Sequence, residues 1–95
     1  MAQVLSAGEV RERLSGGEWH LEGDAIVRDL RFEDFEAAIA FVGRVADAAE
    51  GANHHPDILV HGWNRVRLTL STHSAGGVTD ADLAMAASCD ALISG

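Results

Sequence analysis

The 95-residue chain has no lysine and a single cysteine, and each scarcity removes a class of function. Its seven basic residues are all arginines, scattered along the sequence and set against 15 acidic ones, for a formal net charge of −8. Nucleic-acid binding depends on a basic patch that releases counterions, and none is visible. An anionic membrane surface is disfavoured for the same reason. The lone Cys89 excludes an internal disulfide framework and leaves too few thiols for a Cys-rich zinc site. No apolar run approaches the roughly 18–20 residues of a spanning helix. The charged N-terminal stretch through Leu14 lacks the long apolar segment of a signal peptide, so a cytoplasmic location is the expectation. No Gly-rich loop joins a strand to a helix as phosphate binding requires, and Gly76-Gly77 lacks the lysine of a phosphate loop.

What the chain does have is apolar content. Hydrophobic residues make up 47% of it, far above what disorder requires. The length implies one domain, residues 1–95, able to bury one core. Ser6-Ala7-Gly8-Glu9 has the form of a capping box opening a short helix through Leu14. Alternation around the Gly23-Asp24 turn predicts a hairpin of strands 18–22 and 25–32, the second with one slip in phase. The period then changes. Phe35, Ala38, Ile39, Val42, Val45, Ala46 and Ala49 fall at three-four spacing, which predicts a helix capped by Asp34 and ended by Gly51. Strands 58–61 and 65–72 follow, joined at Gly62-Trp63-Asn64, with Val66, Leu68 and Leu70 on one face. Thr79-Asp80-Ala81-Asp82 opens a last helix reaching about Leu92. The order α-β-β-α-β-β-α predicts an α+β two-layer domain, a four-stranded antiparallel sheet with helices over one face.

Histidine titrates nearest neutrality and can both give and take protons. Of the five histidines, His20 and His61 fall at surface strand positions. His54 and His55 precede one strand of the second hairpin, and His73 follows the other, so pairing brings all three to one end of the sheet. Adjacent loop histidines are often only solvated polar residues. A shared metal is disfavoured, because neighbours in an extended segment point apart and no Cys stands nearby. Asp82 sits third after the Thr79 cap, where stabilising the helix N-terminus alone would explain it. Glu50, at a helix end, and Asp57, after Pro56, have similar local explanations. Ser71 and Ser74 flank His73, but no acylation elbow for a triad is present. Cys89 falls among small apolar residues, as a buried inert thiol would. Imidazoles with a carboxylate suit a proton-shuffling reaction such as dehydration.

Glu50-Gly-Ala-Asn-His54-His55-Pro56, then Trp63, His73 and Asp82, resemble the motif of the pterin-4a-carbinolamine dehydratases. The likeness extends to Trp19, to Arg31 through Phe35, and to Asn64 through His73, covering about residues 5–92. It departs mildly at Trp63, where Tyr is common, and in an extra residue of the turn from His61 to Trp63. The resemblance implies a four-stranded sheet with three helices on one face and a dimer or tetramer. It implies an enzyme that removes water from 4a-hydroxytetrahydropterin, the product left by aromatic amino-acid hydroxylases, to give quinonoid dihydropterin. No metal and no bound cofactor are implied, since the pterin is the substrate. His54, His55 and His73 would be catalytic, with supporting or substrate-binding roles for Glu50, Pro56, Asp57, Trp63, Ser71, Thr72 and Asp82. Relatives on the same fold also serve as non-catalytic binding modules, for a transcription factor or as assembly factors, and that is the alternative.

Overall fold

The computed structural model describes residues 3–93; the outermost two positions at each end of the expected domain lie outside the described residues. Seven elements follow the expected order: α1 (Ala7–Leu14), β1 (His20–Glu22), β2 (Ala25–Arg31), α2 (Phe35–Ala52), β3 (Asp57–His61), β4 (Arg65–Leu70) and α3 (Asp80–Ala91). The helix starts are set by side chains that satisfy otherwise unpaired amides. Ser6 accepts from the Glu9 amide at 3.1 Å, and Asp34 accepts from the Ala37 amide at 2.7 Å.

The four strands form one antiparallel sheet in the order β1-β2-β4-β3. Its helix-facing rows set Ile26, Arg28 and Leu30 opposite Leu70, Leu68 and Val66, with Ile58 and Val60 completing them on β3. The expected slip in β2 does not exist. Arg28 belongs to the helix-facing row, and its charge disguised a regular alternation. Its Nη1 donates to Asp90 of α3 at 2.8 Å, and Trp19 Nε1 donates to the same carboxylate oxygen at 2.8 Å. That shared acceptor lets a guanidinium lie against the helical layer, although Arg28 Nε has no partner among the described residues.

The core between the layers is built from Val10, Ile26, Phe41, Val45, Val66, Leu68, Leu70 and Met85 among others. Phe41 is fully buried, and truncating such a side chain typically costs about 3–5 kcal/mol. The stripe that α2 buries is Ala38, Phe41, Val45 and Ala49; three of these belong to the expected stripe, and Phe41 joins them. Phe35 and Ile39 instead remain 52% and 44% exposed. Phe41 lies at helical spacing from Ala38 and Val45, and Phe35 from Ala38 and Ile39; only packing against the sheet buries the one and exposes the other. Helix α2 also runs one residue past Gly51, to Ala52, and closes on Asn53 in the left-handed region (φ 51°). Among the described residues, no helix is long and apolar enough to cross a membrane.

Candidate active site

The left-handed Asn53 turns the chain out of α2, and the His54 amide donates back to the Ala49 carbonyl at 3.1 Å. His54 is thereby fixed between α2 and β3. Strand β4 ends at Leu70, two residues earlier than expected, because Thr72 leaves the ladder to bridge Gly77. The Thr72 amide donates to the Gly77 carbonyl at 2.9 Å, closing a tight turn that carries His73. Val4 packs closely on this turn, where a Cβ at Gly77 would stand 2.9 Å from its Cγ1.

Asp82 joins these segments. It is fully buried, and every group around its carboxylate is a donor. His54 Nε2 lies 2.5 Å from Oδ1, while Thr72 Oγ1 and the Thr79 amide lie 2.8 and 2.9 Å from Oδ2. The hydroxyls order themselves around this acceptor. Thr72 gives its single proton to Asp82, so Thr79, 2.7 Å away, donates to Thr72. Thr79 Oγ1 in turn accepts the Ala81 amide at 3.2 Å. Asp82 therefore both closes the capping box of α3 and orients His54. A neutral His54 in this bond carries its proton on Nε2, which leaves Nδ1 as a proton acceptor. Thr79, seen in the sequence only as a cap, is a member of the site. The Thr-x-x-Asp pattern was its signal, but local spacing gave no reason to look beyond helix capping.

The other expected residues are placed differently. His55 pairs with Glu50, as their five-residue separation permits, but both side chains are largely in solvent. His73 is exposed in its turn, next in sequence to Thr72. The β3–β4 register, in which Asp57 faces Thr69, carries His54 and His73 toward the same end of the sheet. Pro56 is half-buried, and Asp57 begins β3 with its side chain exposed. Ser71 donates to the Asp24 carbonyl at 2.8 Å, so its hydroxyl ties β4 to the first hairpin. Trp63 is not brought to the cluster within one chain; it is 61% exposed at the opposite tip of the β3–β4 hairpin. His20 bonds Glu22 at 2.7 Å on the surface, as its strand position implied. Burial pushes the Cys89 thiol up to about 11, which keeps it protonated and unreactive near neutrality. Among the described residues, no three or more His, Cys, Asp or Glu side chains converge as a metal site would need.

The fold and site define a class: a two-layer α+β domain with a carboxylate-bound histidine at the end of its sheet. Comparison with known proteins narrows the class. The family model described as Pterin 4 alpha carbinolamine dehydratase matches residues 3–92, and the chain belongs to that family. A relative from Chloroflexus aurantiacus, assigned by name to the pterin-4-alpha-carbinolamine dehydratases, is 51% identical over 94% of this chain and 96% of its own. One from Acidobacterium capsulatum, named likewise, is 51% identical over 98% of this chain and all of its own. The crystal structure of a transcriptional coactivator/pterin dehydratase from Brucella melitensis superposes with a TM-score of 0.88 at 37% identity, covering 96% of this chain and 99% of that one. A pterin dehydratase-like protein identified as a RuBisCO assembly factor in the alpha-carboxysome superposes with a TM-score of 0.69 at 27% identity, over 82% of this chain and 92% of that one.

Proposed function

We propose that the protein dehydrates 4a-hydroxytetrahydropterins to quinonoid dihydropterin and water, recycling the pterin used by aromatic amino-acid hydroxylases. The observation that carries this reading is the His54–Asp82 pair, held by Thr72 and Thr79 beside the turn that bears His73.

In the proposed reaction the bond from C4a to its hydroxyl oxygen breaks. An imidazolium gives that oxygen a proton, and it departs as water. The N5 lone pair forms the new double bond to C4a, and the N5 proton passes to a neutral imidazole. One proton is delivered and one is collected, so the pair of histidines ends with its roles exchanged and is reset by solvent. His54 suits the base, because the bond to Asp82 commits Nε2 and leaves Nδ1 to accept. His73 then supplies the acid. His55, paired with Glu50, would hold the hydroxyl or the pterin ring. The reaction needs no metal and no resident cofactor.

Self-association belongs to the same reading. The sheet leaves β1 and β3 as open edges, and edges invite pairing. Helix α2 also turns Phe35 and Ile39 to solvent.

The deciding experiment follows chemically prepared 4a-hydroxytetrahydropterin with and without the protein. The expected result is accelerated dehydration that survives exhaustive chelation. A rate equal to the uncatalysed one would overturn the reading in favour of a non-catalytic binding module, the role that the assembly-factor relative makes specific. A stoichiometric metal whose removal abolishes turnover would overturn the acid-base mechanism.

A further inference from the structure

One row of side chains is used neither by the core nor by the histidine cluster. The register sets Arg31 of β2 directly opposite Arg65 of β4, and Arg65 directly opposite His61 of β3. All three lie on the sheet face away from the helices and are exposed. Like charges directly opposite each other destabilise a sheet, so the Arg31–Arg65 pair costs stability unless an anion joins it.

One row along the same face, Arg67 is held by Asp29 through Nε at 2.8 Å and Nη2 at 3.0 Å. Arg28 has Asp90, and Arg13 has Glu9 and Asp80. Among the described residues, no carboxylate lies within ion-pair distance of Arg31, Arg65 or His61.

The row opens onto a concavity of about 550 Å³ lined by Asp29, Leu30, Arg31, Leu59, His61, Arg65 and Arg67. That size falls in the range of small-molecule sites, about 300–1,000 Å³. Leu59, 53% exposed, supplies an apolar wall beside the cations. The row lies far from the histidine cluster. Arg65 begins β4 and Thr72 follows its end, and an extended chain over that interval spans about 20 Å.

The charges select the ligand. Guanidinia on neighbouring strands stand about 5 Å apart at the backbone, and each presents a fork of parallel donors. A single carboxylate, with one charge and two oxygens, is satisfied by one fork. A phosphomonoester carries up to two charges and three acceptor oxygens and can bridge both. A long polyanion is disfavoured, because a chain of net charge −8 repels it beyond this row. We propose that the concavity binds a small organic phosphate, its phosphoryl oxygens bridging Arg31 and Arg65 with His61 as a third donor and its apolar body lying on Leu59.

The test is a titration of the ¹⁵N-labelled full chain at low ionic strength, with amide shifts followed up to about 10 mM ligand. The probes are phenyl phosphate, inorganic phosphate and phenylacetate. The expected result is saturable shifts in residues 29–31, 59–61 and 65–67, tightest for phenyl phosphate and weakest for phenylacetate. Arg31→Gln and Arg65→Gln should each weaken phenyl phosphate about tenfold or more. Leu59→Ala should weaken phenyl phosphate but not inorganic phosphate. Pterin dehydration should be unchanged in both arginine variants. Shifts that do not saturate, or that persist unaltered in both arginine variants, would overturn the site. Phenylacetate binding as tightly as phenyl phosphate would overturn the assignment to a phosphate.

Discussion

His54 and Asp82 are 28 positions apart in sequence, yet their side chains meet at 2.5 Å, and the same carboxylate takes the Thr79 amide at the start of α3. The helix cap and the orientation of the histidine are therefore one arrangement. A change that loosens the first turn of α3 also releases the ring, and a change that removes the ring leaves a buried acceptor short of a donor. This coupling gives the variants at the site distinguishable signatures.

The histidines should separate catalysis from folding. His54→Ala and His73→Ala should each lower kcat for pterin dehydration by about 10²-fold or more. His73 is exposed, so its removal should leave the urea midpoint unmoved. His54 is partly buried and bonded to the fully buried Asp82, so its removal should also cost about 1–3 kcal/mol. His20→Ala, on the surface strand β1, should stay near the parent rate. Normal turnover in both site variants would move the chemistry elsewhere.

Asp82→Asn puts an amide where a carboxylate oxygen accepts, and at least one of the donors around it loses its partner. The expected loss is about 1–3 kcal/mol of stability together with most of the activity. Thr72→Val keeps the shape but removes the proton given to Asp82, whereas Thr72→Ser keeps that proton. Denaturation midpoints and kcat, measured together, should fall for Val and largely recover for Ser. Full activity in Thr72→Val would show that the hydroxyl chain does not position His54.

The exposed stripe of α2 should report on assembly. Phe35→Glu and Ile39→Glu, alone or combined, place charge where apolar side chains meet solvent in the single chain. Light scattering of the parent at tens of micromolar should give more than the 10.1 kDa of one chain, and the combined variant should give a smaller assembly. A monomeric parent would remove the role assigned to this stripe.

The pH dependence of stability includes a contribution from the open sheet face. Hydrogen bonding from Arg67 holds the Asp29 carboxyl below its ordinary value of 3.8. A carboxyl lowered in the folded state stabilises the fold above its unfolded pKa, and that contribution disappears as pH falls through the folded value. Asp29→Asn should therefore be slightly less stable than the parent near neutrality. The two curves should converge only once the pH has fallen below the lowered folded value. The pair is solvent-exposed, so the gap should be small and should shrink further in high salt. A gap that widens on acidification would contradict this origin.

The order of the elements could be read from the sequence because its cues are local. Ser6, Asp34 and Thr79 cap helices through amides two or three residues away, and the alternation of Val66, Leu68 and Leu70 belongs to one strand. The family motif likewise marked His54, His55, His73 and Asp82. Other features depended on contacts between distant segments. In α2, the three-four spacing marked Ala38, Val45 and Ala49 correctly but took in Phe35 and Ile39 and passed over Phe41, and only the position of the sheet decided that Phe41 is buried and Phe35 is not. Arg28 could join the helix-facing row only because Asp90, 62 positions later, comes within 2.8 Å. Local capping explained Asp82 completely until the β3–β4 register brought His54 to its other oxygen. Periodicity and capping are settled within a few residues of chain. Which apolar stripe is buried, and which carboxylate a histidine meets, is settled only when segments far apart in sequence pack together.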